Sequence, residues 1–328
     1  MPFVPQVPTP LTPSQTLHVV TMVSNPVMYQ SRYDLYRKFE QKMKQVHVNL
    51  VTAEIAFGDR QFEVTTAGNP NHVQLRTWDE LWHKENALNI AMSRLPTDWQ
   101  YVAWIDADIE FQQPDWVEKT IHALQHYQVV QPWSDAIDMD ASGKIFNSYK
   151  SFTHQYVEYG LDQVAKADSG VYAKAASKTI AYPHCGFAWA ARREAIDGIG
   201  GLPDFPIVGS ADHHLAWALV NNVKYSCPGG VNTNYVKRLM QLQARTAKVI
   251  DTDIGYVPGI INHSHHGPKA SRGYTSRWSI LVDNDFDPDV DILKDSQGLI
   301  TLAGNKPKLR DDLRRYFRNR NEDDSCAR

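Results

Sequence analysis

The chain has 328 residues, 42% of them hydrophobic and 22% charged, so a sizeable core can form without disulfides. A formal net charge of -3 gives no overall argument for a nucleic-acid or membrane partner, and three widely spaced cysteines argue against a disulfide framework and favour a reducing cytoplasm. The sequence shows neither an apolar stretch of about 20 residues nor a secretory signal, so we expect a cytoplasmic protein with no integral membrane contact.

The predicted elements alternate between strands and helices. A proline-rich, flexible arm covers residues 1–16. Apolar runs predict strands at 17–23, 46–57, 73–77, 101–105 and from 129 onward, and helical spacing predicts helices at 31–44, 78–95 and 114–127. This alternation indicates βαβ units, so the expected fold class is α/β with a mostly parallel central sheet flanked by helices. Weak periodicity over 135–179 predicts loops at 138–144 and 168–178.

Two carboxylates, Asp106 and Asp108, directly follow the apolar run 101–105. Alternate residues of a strand share a face, so both side chains are predicted to point the same way at the end of an inner strand, where open α/β sheets bind ligands. Such a pair can hold a hard divalent cation, which can neutralise a diphosphate. The plain alternative is a chance pair of turn or surface acids.

This Asp-x-Asp after an apolar strand resembles the metal-binding motif of nucleotide-sugar glycosyltransferases with the GT-A (Rossmann-like) fold, in particular the family-2 type. The resemblance continues in Trp82-His-Lys-Glu-Asn-Ala-Leu-Asn89 and in the glycine-containing segment from His184 to Pro203, and it spans about residues 17–280. The combination of Trp-x-Lys-Glu-Asn, Trp-Ile-Asp-Ala-Asp and His-His-Gly also resembles glycosyltransferase-like proteins of large bacterial viruses.

The resemblance implies a general base at Asp212, which opens a predicted helix. The family's usual Glu-Asp pair is Ala211-Asp212 here, so a single acid is available, and an N-cap is the alternative role. The implied metal ligands are Asp106, Asp108 and a histidine; His266 is the first choice, with His263 and His265 as alternatives. The implied donor-binding residues are Glu54, Lys84, Asp106, Gly186, Lys269, Arg272 and Arg277.

The implied activity is the metal-dependent transfer of a sugar from a nucleotide diphosphate sugar to an acceptor hydroxyl. We expect Mn²⁺ or Mg²⁺ as the metal, a UDP-sugar as the donor and inversion at the anomeric carbon, with retaining chemistry left open. The predicted domains are a GT-A domain over 17–280, with a nucleotide-binding half (17–132) and an acceptor half (133–280), and a charged C-terminal extension over 281–328.

The acceptor stays open at this stage. A basic stretch over 306–320 can meet phosphates, which together with the viral resemblance suggests a hydroxymethyl pyrimidine in phage DNA; a solvated helix is the alternative. Other acceptors are a cytosolic glycan, a lipid-linked sugar or a protein side chain. A metal-dependent nucleotidyltransferase is the alternative of another class. Such an enzyme usually has a glycine-rich, basic loop after the first strand, and residues 21–27 of this sequence contain none. A non-catalytic binding module would not need this set of acids and histidines together.

Overall fold

A seven-stranded sheet forms the centre of the computed structural model, which describes residues 16–172, 182–274 and 276–324. In chain order the strands are β1 (Leu17–Ser24), β2 (Val48–Phe57), β3 (His72–Thr77), β4 (Tyr101–Ile105), β5 (Ile109–Phe111), β6 (Val129–Gln131), β7 (Asp135–Met139), β8 (Ile145–Ser151), β9 (Pro183–His184), β10 (Ala188–Arg192), β11 (Ile254–Tyr256), β12 (Ile260–His263), β13 (Ile292–Lys294) and β14 (Ile300–Leu302). The central sheet has the order β11-β6-β10-β4-β1-β2-β3. Only β10 runs against its neighbours within this sheet, so the sheet is mostly parallel as predicted.

Helices flank both faces of this sheet, which confirms the predicted α/β class. They are α1 (Gln30–Met43), α2 (Lys84–Met92), α3 (Trp116–Leu124), α4 (Phe152–Tyr159), α5 (Leu161–Tyr172), α6 (Arg193–Ile199), α7 (Ala211–Leu219), α8 (Thr233–Val249), α9 (Trp278–Asp283) and α10 (Pro307–Arg318). In β4, Val102 and Trp104 enter one core cluster while Ala103 and Ile105 enter the other. Burial on both faces explains why the inner strands read as continuous apolar runs.

A second sheet, of order β5-β12-β7-β8-β9, lies beside the central one and was not predicted. Its strands β7 and β8 form a hairpin whose turn is fixed by Asp140, because its Oδ1 accepts hydrogen bonds from the backbone N–H groups of Ser142 and Lys144. The predicted loop at 138–144 is therefore correct only for the turn. The predicted loop at 168–178 is wrong for residues 168–172, which form the end of α5. Residues 173–178 of this loop and residues 1–15 of the proline-rich arm lie outside the described residues.

The helix predicted over 78–95 is shorter than expected, because α2 begins only at Lys84. The preceding residues bond instead to distant parts of the chain: the Trp82 N–H donates to the carbonyl of Ile207, and the His83 Nε2 lies 2.9 Å from the carbonyl of Ile300. These long-range bonds outweigh the helical periodicity of the segment.

Residues from the C-terminal part of the chain share a third core cluster with residues of the middle part. Leu309 and Leu313 of α10 belong to the same cluster as Phe205, Tyr235 and Leu81. The boundary predicted at residue 281 stays a prediction. Within the described ranges, no helix combines the length and apolar character needed to cross a bilayer.

Candidate functional site

The Asp-x-Asp motif lies in a turn at the carboxyl edge of the central sheet. β4 ends at Ile105, the Asp106 N–H donates to the carbonyl of Phe187 (2.8 Å), and β5 of the second sheet begins at Ile109. The alternation rule for strands therefore does not apply to Asp106 and Asp108, although both residues line the same cleft. Their partners differ, as follows.

Asp108 joins two histidines in a group suited to a divalent cation. Its Oδ2 lies 3.1 Å from His266 Nε2 and 3.7 Å from His263 Nε2, and the two Nε2 atoms are 3.3 Å apart. Atoms bound at about 2.1 Å to one cation lie roughly 3.0–3.5 Å from each other, so two of the three distances fall in this range and the 3.7 Å distance is slightly longer. Among the described residues, the Asp108 Oδ1 is buried without a hydrogen-bond partner, which leaves a further oxygen for the cation. One carboxylate and two imidazoles form a donor set that suits Mn²⁺ or another first-row metal.

A second carboxylate orients His263 from behind. The Asp138 Oδ1 lies 2.6 Å from His263 Nδ1, and Lys269 contacts the other Asp138 oxygen and the Tyr149 hydroxyl. A carboxylate on the far nitrogen fixes a ligand histidine's tautomer and leaves Nε2 toward the metal. Lys269, predicted to bind diphosphate, is instead paired with Asp138. Sequence reasoning missed Asp138 because it lies in the segment with weak periodicity.

Asp106, predicted as a metal ligand, lies outside the Asp108–His263–His266 group. Its carboxylate forms an ion pair with Lys84 of α2, and both side chains line the cleft. Burial raises the pKa of Asp106 and the nearby Asp108 carboxylate adds to this effect, which Lys84 only partly opposes. Glu85, the neighbour of Lys84 in α2, also lines the cleft and was not predicted as a site residue. Burial raises the pKa of Glu85 to about 8.

Asp212 lies in the first turn of α7, in keeping with the prediction that it opens a helix, and it lines the same cleft. Its Oδ1 accepts a hydrogen bond from the His213 N–H (2.8 Å), and a Cβ placed on Gly186 would lie only 2.9 Å from its Oδ2. Burial opposes ionisation of this carboxyl, but the charges of Lys84, Arg277 and His184 hold its pKa below the usual value. Asp212 is thus ionised near neutral pH and able to accept a proton.

The cleft that joins these groups has a volume of about 560 Å³. Arg272 and Arg277, both predicted to bind diphosphate, line it and are buried. Arg272 donates to the Tyr274 hydroxyl (3.1 Å) and Arg277 contacts the Ser210 hydroxyl. In the described part of the chain, the Nε atoms of both arginines are buried without a partner. Buried, unpaired donors of this kind are suited to an anion.

Two predicted residues lie apart from this cleft. The Glu54 carboxylate accepts hydrogen bonds from the backbone N–H groups of Glu63, Val64 and Thr65 and from the Thr65 hydroxyl, so it holds a loop of the protein. The expectation that Glu54 grips a base or ribose therefore finds no support in its position. His265 turns away from Asp108, and its Nε2 lies 3.1 Å from the carbonyl of Asp324.

A group of residues that could hold a metal ion and an ionised acid share one cleft at the carboxyl edge of a mostly parallel sheet, where open α/β sheets bind their ligands. Residues 52–198, less than half of the chain, match the family described as Glycosyl transferase family 2. This match supports a glycosyltransferase; it includes Lys84, Asp106 and Asp108 and ends before Asp212. No curated protein matches the sequence.

Several solved structures are similar to the chain at low identity. A Desulfovibrio desulfuricans G20 protein assigned as a nucleotide-diphospho-sugar transferase is 14% identical over 76% of this chain and 82% of its own, with a TM-score of 0.33. S. aureus TarS residues 1–349 are 7% identical over 62% and 55%, with a TM-score of 0.39. A mutant of Drosophila beta1,4galactosyltransferase 7, in complex with manganese, UDP-Gal and xylobiose, is 10% identical over 90% and 98%, with a TM-score of 0.38. These TM-scores describe partial overlap.

Proposed function

We propose that the protein transfers a sugar from a UDP-sugar to an acceptor hydroxyl with inversion, and that the reaction needs a divalent metal. The observation that carries the proposal is the single cleft that holds the Asp108–His263–His266 group, the Asp212 carboxylate and the unpaired Nε donors of two arginines. UDP as the nucleotide rests on the motif resemblance alone.

Each part of the cleft has a place in this chemistry. Asp108, His263 and His266 would hold the metal, which supplies positive charge to the donor diphosphate. Arg272 and Arg277 would donate their unpaired Nε–H groups to the same anion, because guanidinium groups pair well with phosphate oxygens. Charge that grows on the diphosphate as it leaves is stabilised most strongly by such fixed groups.

The transfer itself is a single displacement. The acceptor oxygen forms a bond to the anomeric carbon while the bond from that carbon to the diphosphate oxygen breaks, and the diphosphate takes the electron pair. Asp212 accepts the proton of the attacking hydroxyl; its lowered pKa keeps it ionised and ready to do so. Attack on the face opposite the leaving group inverts the configuration.

The acceptor is the least constrained part of the proposal. The basic stretch expected to meet DNA forms α10, whose cations face acids of the same protein: Lys308 and Arg315 pair with Asp312, and Arg318 pairs with Glu80. A hydroxymethyl pyrimidine in DNA stays a prediction, which salt-sensitive binding to duplex DNA would support. A glycan, a lipid-linked sugar or a protein hydroxyl are the other acceptors to compare.

Isothermal titration calorimetry tests the donor site directly. We expect the wild-type protein to bind UDP with Mn²⁺ present, more weakly without it, and to prefer UDP and UDP-glucose to GDP-mannose. Asp108→Ala and His266→Ala should lose the metal-dependent part of the binding. His47→Ala is the control, since His47 is exposed and does not line the cleft.

Either of two results would overturn the donor assignment. The first is wild-type protein that binds no nucleotide under any metal. The second is Asp108→Ala protein that binds UDP and Mn²⁺ as well as the wild type does, because the proposed cation site would then be idle.

A further inference from the structure

The residues that follow α10, 320–324, form a short segment that closes over the candidate cation site. We call it the closing segment. The Asp323 carboxylate accepts hydrogen bonds from the backbone N–H groups of Gln30 and Ser31 (2.9 and 2.8 Å), at the start of α1. The Asn321 N–H donates to the Tyr29 hydroxyl (3.0 Å). The closing segment is thereby tied to the N-terminal half of the chain.

The same segment packs against the loop that carries His266. Gly267 has φ +80°, and a Cβ on it would lie 2.5 Å from the Asn321 carbonyl oxygen and 2.7 Å from the Glu322 Cα. Any larger residue at 267 would therefore push the two backbones apart. His265 contacts the Asp324 carbonyl on the same side. Backbone contact this close fixes where Glu322 stands relative to His266.

Glu322 is a buried carboxylate between two arginines and a histidine. Its side chain is 0% exposed, its Oε1 lies 2.7 Å from Arg32 Nη2 and 2.5 Å from Arg320 Nε, and Arg32 also contacts its Oε2. Its Oε2 lies 3.9 Å from His266 Nδ1. Burial alone would favour the neutral acid, but the two arginines hold the pKa of Glu322 well below its usual range, so the group is a fixed negative charge.

This charge faces the nitrogen of His266 that the cation would not use. Nε2 of His266 points to Asp108 (3.1 Å), and Nδ1 points to Glu322. A cation on Nε2 draws electron density from the ring, which makes the Nδ1 side more positive, and a carboxylate on that side stabilises the change. His263 has a carboxylate on the same side in Asp138, at a hydrogen-bond distance of 2.6 Å, whereas Glu322 lies 3.9 Å from His266 and acts on it through its charge.

We propose that Glu322 is a positioning residue for His266, held in its place by Arg32 of α1 and by the contact of the closing segment with Gly267. The inference rests on the proposed metal-dependent function, because it assigns Glu322 to the same cation. Removal of a carboxylate behind a metal-bound histidine typically lowers metal affinity about 10–100-fold.

The test measures metal binding and not turnover. Free Mn²⁺ is titrated by electron paramagnetic resonance against the full chain with UDP present. We expect Glu322→Gln to weaken Mn²⁺ binding about 10–100-fold. Glu322→Asp keeps a negative charge for both arginines but shortens the reach toward His266, so it should weaken Mn²⁺ binding less than Glu322→Gln does. It replaces the Gln variant in this test if that variant does not fold. Long-range ¹H–¹⁵N spectra should show changed His266 ring shifts in both variants.

Asp323→Asn is the matched control in the same segment. It removes a cap of α1 and should lower the melting temperature, but it should leave the Mn²⁺ affinity and the His266 ring shifts unchanged. Wild-type Mn²⁺ affinity in a folded Glu322 variant would overturn the positioning role, as would an equal loss in Asp323→Asn. Wild-type protein that binds no Mn²⁺ would instead overturn the proposed function.

Discussion

Gly186 is the residue on which the placement of the Asp212 carboxylate most directly depends. A Cβ at this position would lie 2.9 Å from Asp212 Oδ2, closer than real Cβ atoms come to their neighbours, and 3.0 Å from His184 Cε1, which is a tight contact. The sequence predicts a glycine that lets backbone approach the donor sugar. The structure adds a second reason, since the missing side chain gives the acid its space.

Gly186→Ala should therefore lower sugar transfer about 100-fold while the fold is kept, because a shift of about 1 Å in a reacting group costs that much. Steady-state rates measured by UDP release would show it. Gly229→Ala is the control, because a Cβ there meets nothing within 4 Å. Equal rates in the two variants would mean that Asp212 does not need its present position.

Asp212→Asn should lower transfer about 10²–10⁴-fold, the usual contribution of a general base, because the amide cannot accept the proton of the acceptor hydroxyl. Calorimetry should show UDP and Mn²⁺ binding close to that of the wild type. A variant that turns over normally would remove Asp212 from the mechanism, and loss of UDP binding would assign it to the donor site.

At the scale of the elements, Glu54 shows how a carboxylate in a strand can stabilise the loop that follows the strand. It is buried in β2, and its carboxylate accepts hydrogen bonds from three backbone N–H groups and one hydroxyl of the loop that leads to β3. Such a carboxylate replaces the secondary-structure bonds that this loop lacks.

Glu54→Ala should destabilise the protein by about 3 kcal/mol, because several buried donors lose their acceptor at once. Urea unfolding checks this, with the exposed Glu63→Ala as control. The UDP affinity of folded Glu54→Ala should match that of the wild type. A large loss of UDP affinity would restore the base-binding role implied by the motif resemblance.

The elements also show what the sequence could predict. Strands such as β1 and β4 were recognised because burial on both faces makes them uniformly apolar. The hairpin of β7 and β8 was not, because β7 alternates buried and half-exposed residues and carries two aspartates. For the site, Asp108 and His266 followed from motifs. Asp138 and Glu322 did not, since no local pattern marks a carboxylate whose partner lies far along the chain.

At the scale of the whole molecule, buried neutral histidines make the stability of the folded protein depend on pH. His214 is fully buried, with Nδ1 2.9 Å from the Ser226 hydroxyl and Nε2 2.9 Å from the Tyr235 hydroxyl, and burial lowers its pKa to about 3. An unfolded chain takes up a proton at this histidine below about pH 6.5 and the folded chain does not. His214 therefore costs stability as the pH falls from 6.5 toward 3.

His214→Gln should make the free energy of unfolding less dependent on pH. The stability difference between wild type and variant should shrink by about 1.4 kcal/mol for each pH unit between 6 and 4. Urea unfolding across this range measures it, with His47→Gln, at an exposed position, as the control. A difference that stays constant would mean that His214 is protonated in the folded protein.

The position of the closing segment late in the chain determines when the proposed cation site can form during synthesis. Asp108, Asp138, His263, His266 and Glu322 are spread over more than 200 positions of the chain, and Arg32, which holds Glu322, is earlier still. A ribosome delivers the central sheet long before it delivers residue 322. A nascent chain can thus fold its central sheet, yet it should not bind a cation tightly until the closing segment has emerged and docked.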